Sequence, residues 1–195
     1  MRKVIIIGAG GSLAKYVIGA IKELGNIELT LFLRNDGRLS KNESDNCTII
    51  EGDALNYHDV KKAIAGQEVV YVNLAGNLEP MITNIVRSMH ENDVTRIIAI
   101  SSIGIYEKPL KSVLIPYRKL ADVIENSGLD YTILRPDWFT NANEIDYTIT
   151  KKGSPEIGTA ISRKSIALFI SKIINQPDLH KNENVGISKP NFLPL

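Results

Sequence analysis

The chain is poor in the residues that carry metal and disulfide chemistry. Its single cysteine, Cys47, has no intrachain partner for a disulfide, and the three histidines, His58, His90 and His180, lack the close spacings of a metal-binding set. No metal is expected, and Cys47 reads as a small strand residue. An excess of one charge is also missing, since 23 Lys and Arg stand against 22 Asp and Glu, a formal net charge of +1. Without a strong field to attract them, neither a nucleic acid nor an anionic lipid surface is an expected partner. Long apolar runs are absent too. The N-terminal run 4–7 is too short for a signal-peptide core, and no stretch approaches about 18 apolar residues, so a cytoplasmic protein is the expectation.

What is present is an ordinary globular composition, 44% hydrophobic and 23% charged over 195 residues, enough for one domain with a continuous core. Short β-branched runs at 3–7, 28–33, 48–51, 68–74, 96–101, 131–134 and, more weakly, 184–188 alternate with helical periods at 12–24, 57–65, 79–91, 116–127 and 162–174. Most of the runs are apolar throughout, as strands buried on both faces are. This order predicts an α/β fold, a Rossmann-type doubly wound parallel sheet spanning 1–195 as a single domain, with ligands beyond the carboxyl ends of the strands. Two segments break the rhythm on that edge, 103–113 and 137–158. They read as substrate-side loops, and the small C-terminal region 137–195 reads partly as a cap.

The stretch "IIIGAGGSLAKYV" leads an apolar run directly into a turn that opens a helix. In that context Gly8 supplies a tight turn, Gly11 lets backbone approach a pyrophosphate, and Ala14 lets the helix pack closely on the strand. Exposed N–H groups and the helix dipole favour phosphates there, with Gly8, Gly11, Ser12 and Leu13 as the binding residues. A glycine-rich connection that binds nothing is the plain alternative. A Walker-type loop is excluded, because Lys15 follows Ala14 and precedes Tyr16 instead of standing before Ser or Thr.

The second strand ends in "LFLRND", where a protein that prefers NAD places an acidic residue. Arg34 at this point suits a 2′-phosphate, which predicts NADP(H) as the preferred cofactor, while Asp36 two positions on keeps NAD(H) use open. After the third strand, "EGDALNYHDV" offers Asp53 to the adenine amino group and Ala54 and Leu55 to the ring face, with Asn56 or Asp59 available as a helix cap. "NLAG" closes the fourth strand, and its Ala75 and Gly76 stand where backbone passes the nicotinamide-side ribose. A tight strand exit accounts for Gly76 equally well.

Together "GAGGSLA", "LFLR", "GDALN", "ISSIGIY" and "SGLDYTILRPDWF" resemble the short-chain dehydrogenase/reductase superfamily, in particular its atypical NmrA-like or NAD(P)H-binding branch. The resemblance implies NADPH across the strand ends and a catalytic Tyr, a Lys four residues later on the same helix, and a Ser after the fifth strand. Lys119 matches the lysine, implying a contact to the nicotinamide ribose and a charge that lowers a tyrosine's pKa. Ile115 occupies the tyrosine position, and Tyr117 lies about 200° around the helix from Lys119. Tyr57 with Lys61, and Tyr147 with Lys151, repeat the spacing away from the expected helix. Ser101 joins the cofactor-binding residues, Ser102 matches the family serine, and Tyr106 is a nearby hydroxyl, or Ser102 simply satisfies backbone. Pro136 opens the loop that touches the nicotinamide carboxamide in the family, and Trp138 and Phe139 form an apolar wall over the ring or belong to the core.

Three functions compete. The first is an NADPH-dependent reductase of a small acceptor such as a quinone, flavin or enone, using Ser102, Tyr106, Lys119 or a solvent proton. The second is a nonenzymatic NADP(H)-sensing regulator of NmrA type with a protein partner, favoured by Ile115. The third, least favoured by the short C-terminal region, is an epimerase or isomerase. The chain is expected to act as a monomer or homodimer.

Overall fold

The computed structural model describes residues 1–191. The strand β1 (Arg2–Ile7) shows how the two-sided core is built, since alternate side chains point to opposite faces. Val4 and Ile6 join an apolar layer with α1 (Ser12–Lys22) and α6 (Arg163–Asn175), whereas Ile5 and Ile7 join the layer on the other face. That second layer is covered by α3 (Tyr57–Ile64), α4 (Leu78–Glu91) and α5 (Ile115–Glu125). On α1 the stripe Leu13, Ala14, Val17, Ile18 and Ile21 is buried, the helical spacing that a one-sided helix requires.

The other strands of this sheet are β2 (Ile27–Leu33), β3 (Thr48–Glu51), β4 (Val69–Val72), β5 (Arg96–Ile100), β6 (Asp130–Pro136), β8 (Thr148–Lys151) and β10 (Glu183–Ser188). The sheet runs β3-β2-β1-β4-β5-β6-β10-β8, parallel except for the antiparallel edge strand β8. Winding reverses between β1 and β4, and such a switch point leaves a crevice at the carboxyl ends of both strands. The Rossmann-type α/β sheet and the positions of its seven parallel strands agree with the sequence reading.

The interruption at 137–158 is where sequence and structure part. It holds β7 (Phe139–Thr140), which pairs with β9 (Ile161–Ser162) in a separate ribbon, and then β8. β7 and β9 have two residues each, and β8 has four with one apolar side chain among them, too little to show a period in the sequence. The expected C-terminal cap divides likewise: residues 137–139 face the crevice, while α6 and β10 complete the core, and 192–195 lie outside the described residues. Cys47 precedes β3 instead of lying in it. A short helix, α2 (Lys41–Ser44), occupies the β2–β3 connection behind a capping box of Ser40 and Glu43. Among the described residues no helix is long and apolar enough to cross a membrane.

Candidate functional site

A cleft of about 770 Å³ opens at the carboxyl ends of the strands, running from the β1–α1 turn to the loops after β5 and β6. Its centre is the turn at 8–12. Gly8 adopts φ +91, and a Cβ there would fall 2.2 Å from the Asn73 carbonyl oxygen at the exit of β4. A Cβ on Gly11 would lie 2.4 Å from Nδ2 of Asn73. Gly10 differs, its nearest neighbours being Arg38 side-chain carbons at 3.5 Å, an ordinary contact. Gly11 is the N-cap of α1 and brings no side-chain capping bond, and the first turn holds no acidic residue. The amides of Ser12 and Leu13 therefore begin an uncapped helix facing the cleft, a donor set that fits a phosphate group.

At one end the cleft is lined by Arg34, Asn35 and Arg38. Asn35 accepts from the Gly37 amide at 2.9 Å and caps a single 3-10 turn (Asp36–Arg38), which folds Arg38 back against Gly10. Asp36 does not line the cleft, and its amide donates to Glu51 at 2.9 Å. Sequence reasoning missed Arg38, although the "NDGR" turn that delivers it was legible. Asp53 and Ala54 are in the wall as expected. The Asp53 carboxylate also accepts from the Leu55 amide at 3.0 Å, while the Asp53 amide donates to the Asp59 carboxylate at 3.1 Å. Asn56 is the residue that caps α3, through the His58 amide.

The other end is lined by Ser101, Ser102, Ile103, Leu114, Tyr117, Pro136, Trp138 and Phe139, with the charged side chains of Glu107, Lys111 and Asp137 among them. Trp138 and Val113 are 82% and 70% exposed on its rim, an unusual cost for large apolar side chains. Ser101 is buried and donates to the Tyr117 carbonyl at 3.1 Å, while Ser102 donates to its neighbour Ile103 at 3.2 Å. Tyr117 is out of phase with Lys119 on α5. The structure makes it the cleft-facing member of the pair, since Tyr117 leads the stripe completed by buried Leu120, Ala121 and Ile124.

Three expected site residues lie outside the cleft lining. Lys119 points along the outside of α5 and its amine meets Glu79 of α4 at 2.5 Å, both side chains about half exposed. Tyr106 is turned into the protein, where Asn184 donates to its hydroxyl at 2.7 Å and Arg118 and Lys152 flank its ring at 4.6 and 4.8 Å. Burial, reinforced by the Glu125 carboxylate, pushes its phenol pKa up, which opposes a role as proton donor. Gly76 has φ +96 with open space around it, so it is needed for the strand exit, while Ala75 lines the cleft. Ile115, at the family's tyrosine position, is 42% exposed and does not line the cleft. The other two Tyr–Lys spacings are also outside it, with Tyr57 bonded to Glu91 and Tyr147 to Lys172.

With this geometry in view, the chain matches, over residues 8–177, a family model described as NAD(P)H-binding. It is similar to a Rossmann-fold NAD(P)-binding family protein from Shigella flexneri, at 42% identity and a TM-score of 0.90, over 100% of this chain and 98% of that one. It shares its fold with a short-chain dehydrogenase/reductase from Veillonella parvula in complex with NADP (24% identity, TM-score 0.89, 97% and 95% covered). An anaerobillin reductase from Escherichia coli O157:H7 also shares the fold (17% identity, TM-score 0.83, 100% of both chains). The glycine turn at the switch point, the uncapped α1 and the extent of the family match lead to one conclusion: the chain belongs to the NAD(P)H-binding family.

Proposed function

We propose that the protein is an NADPH-dependent reductase of a small conjugated acceptor, a quinone, flavin or enone. The observation that carries this reading is one continuous cleft with two arginines at one end and, at the other, a rim where Val113, Trp138 and Phe139 stand beside Glu107, Lys111 and Asp137. Gly8, Gly11, Ser12 and Leu13 hold the pyrophosphate, and Asp53 and Ala54 hold the adenine. Arg34 and Arg38 answer a 2′-phosphate with charge-assisted hydrogen bonds, which is the ground for NADPH over NADH. When bound, the cofactor supplies a hydride, and the protein's part is to bind, orient and exclude water.

The class of acceptor follows from what the rim offers. Ser101, Ser102 and Tyr117 bring hydroxyl groups, but Lys119 stands on Glu79 outside the lining, so it does not assist a tyrosine as an acid there. Reduction of an isolated carbonyl puts a full charge on one oxygen and calls for a matched acid. A conjugated acceptor spreads that charge and can take its proton from water. Trp138 and Phe139 suit a flat, apolar molecule.

The missing Tyr–Lys pair also favours a second reading, a dinucleotide-sensing module. NADPH oxidation against a panel of quinones, flavins, enones and simple carbonyls decides, together with titration of both dinucleotides. Turnover confined to the conjugated acceptors is expected. Tight NADPH binding with no turnover on any of them overturns the reductase reading in favour of the sensor, and failure to bind either dinucleotide overturns both.

A further inference from the structure

We infer that Glu156, which lies outside the cleft lining, is the positioning residue that sets the geometry of its acceptor-side rim. Two loops form this rim: one leaves β5 and carries Ser102 and Ile103, the other leaves β6 and carries Trp138 and Phe139. Their roots are tied by backbone, the Ser101 amide donating to the Leu134 carbonyl at 2.7 Å and the Ile103 amide to the Pro136 carbonyl at 3.1 Å. Glu156 adds the next tie. One carboxylate oxygen accepts from the Gly104 amide at 2.9 Å, and the other accepts from Nε of Arg135 at 2.7 Å. Gly104 lies two positions after Ser102, and Arg135 immediately precedes Pro136.

Arg135 is rigid in its own right. Its side chain is 1% exposed, and its guanidinium also donates to the Asn184 carbonyl at 2.9 Å and to the Asn184 side chain. Glu156 is itself held by a pinned turn: the Ser188 hydroxyl donates to the Ile157 carbonyl, and Thr159 and Lys189 exchange backbone bonds at 3.0 Å. A Cβ on Gly158 would meet Ser188 at 2.3 Å, and one on Gly186 would stand 3.3 Å from the Glu156 carboxylate, so both glycines let this turn close onto β10. The carboxylate thus transfers the rigidity of β10 and β6 to a loop that has passed the end of β4 at Val72 and leaves β6 at Pro136. Charge-assisted bonds of this kind are strong and directional, so losing one lets the Ser102 segment shift relative to Trp138.

The test is Glu156→Gln, which keeps the volume but presents an NH2 to one of two donors. The paired variant R135M/E156M removes both groups, so no buried charge is left alone if the single variant folds poorly. Hydrogen exchange at the Gly104 amide is expected to speed up by about tenfold in either variant. With a conjugated acceptor, KM is expected to rise by about tenfold or more while kcat and the NADPH Kd stay within about twofold. Unchanged Gly104 exchange overturns the proposal, as does a parallel loss in NADPH affinity, which would mark Glu156 as a general support of the fold. The kinetic arm rests on the reductase reading, whereas the exchange arm does not. If wild-type protein turns over no acceptor, that reading falls and amide exchange alone decides for or against Glu156.

Discussion

The side-chain amide of Asn73 closes over Gly11, so that a Cβ on Gly11 would fall 2.4 Å from Nδ2. A neighbour at that distance must move, and Asn73 is tied to the Gly8 carbonyl at 3.4 Å. That amide is the free end of a side chain and Gly11 has φ −76, so Asn73 can swing aside for Gly11→Ala. Gly8→Ala instead drives its Cβ to 2.2 Å from the Asn73 backbone carbonyl oxygen at φ +91, and is expected to weaken NADPH binding by about tenfold or more through displacement of the turn. Gly10→Ala, with neighbours at 3.5 Å, should leave it within about twofold. Titration of Gly8→Ala and Gly10→Ala with NADPH separates them, and equal losses would mean that the turn is governed by something other than Asn73.

Arg34 and Arg38 reach the same end of the cleft from either side of one short turn. Removing either by Ala should weaken NADPH by about tenfold or more, at roughly 1.5–3 kcal/mol per charged hydrogen bond, and leave NADH nearly unchanged. The double variant should bind both dinucleotides alike. Parallel losses for NADH and NADPH would show that neither arginine reads the 2′-phosphate.

Lys119→Met should have little effect on the dinucleotide. Its amine pairs with Glu79 across two half-exposed side chains, a contact worth at most about 1 kcal/mol to stability. NADPH affinity and turnover are expected within about threefold of wild type. A loss of about a hundredfold would return Lys119 to the ribose position that the family resemblance implies.

Tyr106→Phe tests a hydroxyl in a structural setting. The variant gives up the bond from Asn184 and should lose about 1 kcal/mol, lowering Tm by about 2–4 °C. Turnover of the best acceptor should stay constant, and its pH profile should not move.

Acid stability depends on Glu91, whose carboxyl is lowered to about 2 by hydrogen bonds from Lys61, then Tyr57 and Arg87. In the unfolded chain a glutamate titrates near 4.3, so the folded protein binds fewer protons between the two values. The stabilisation is fully present above the unfolded pKa and is lost as pH falls through about 2. The Tm difference between wild type and Glu91→Gln should accordingly be constant above about pH 5 and vanish near about pH 2 at low salt. A difference that persists at acid pH would assign the effect of the substitution to packing against Tyr57.

Most of the core follows from local rules that a sequence displays. Residues 3–7 alternate faces because a strand has a period of two, and the stripe on α1 recurs because a helix has one of 3.6. The glycine turn was legible because strand, turn and helix are contiguous. Even Tyr117 had a signal, as the leading member of the stripe with Leu120, Ala121 and Ile124, although the Tyr–Lys spacing of the family drew attention to the opposite side of α5.

By itself, then, the sequence determined the order of the parallel strands and of the helices that cover them, the doubly wound sheet and the place of the glycine turn, since each depends on residues adjacent along the chain. Tertiary structure alone decided which side chains meet in the cleft. Asn73 reaches Gly11 across the switch point, Lys119 faces Glu79 because packing on the sheet sets the rotation of α5, and Glu156 joins Gly104 to Arg135 from a turn with no periodic signal. Spacing fixes which residues share one face of one element. How those faces are turned toward each other follows from the packing of separate elements, whose contacts link residues far apart in the chain.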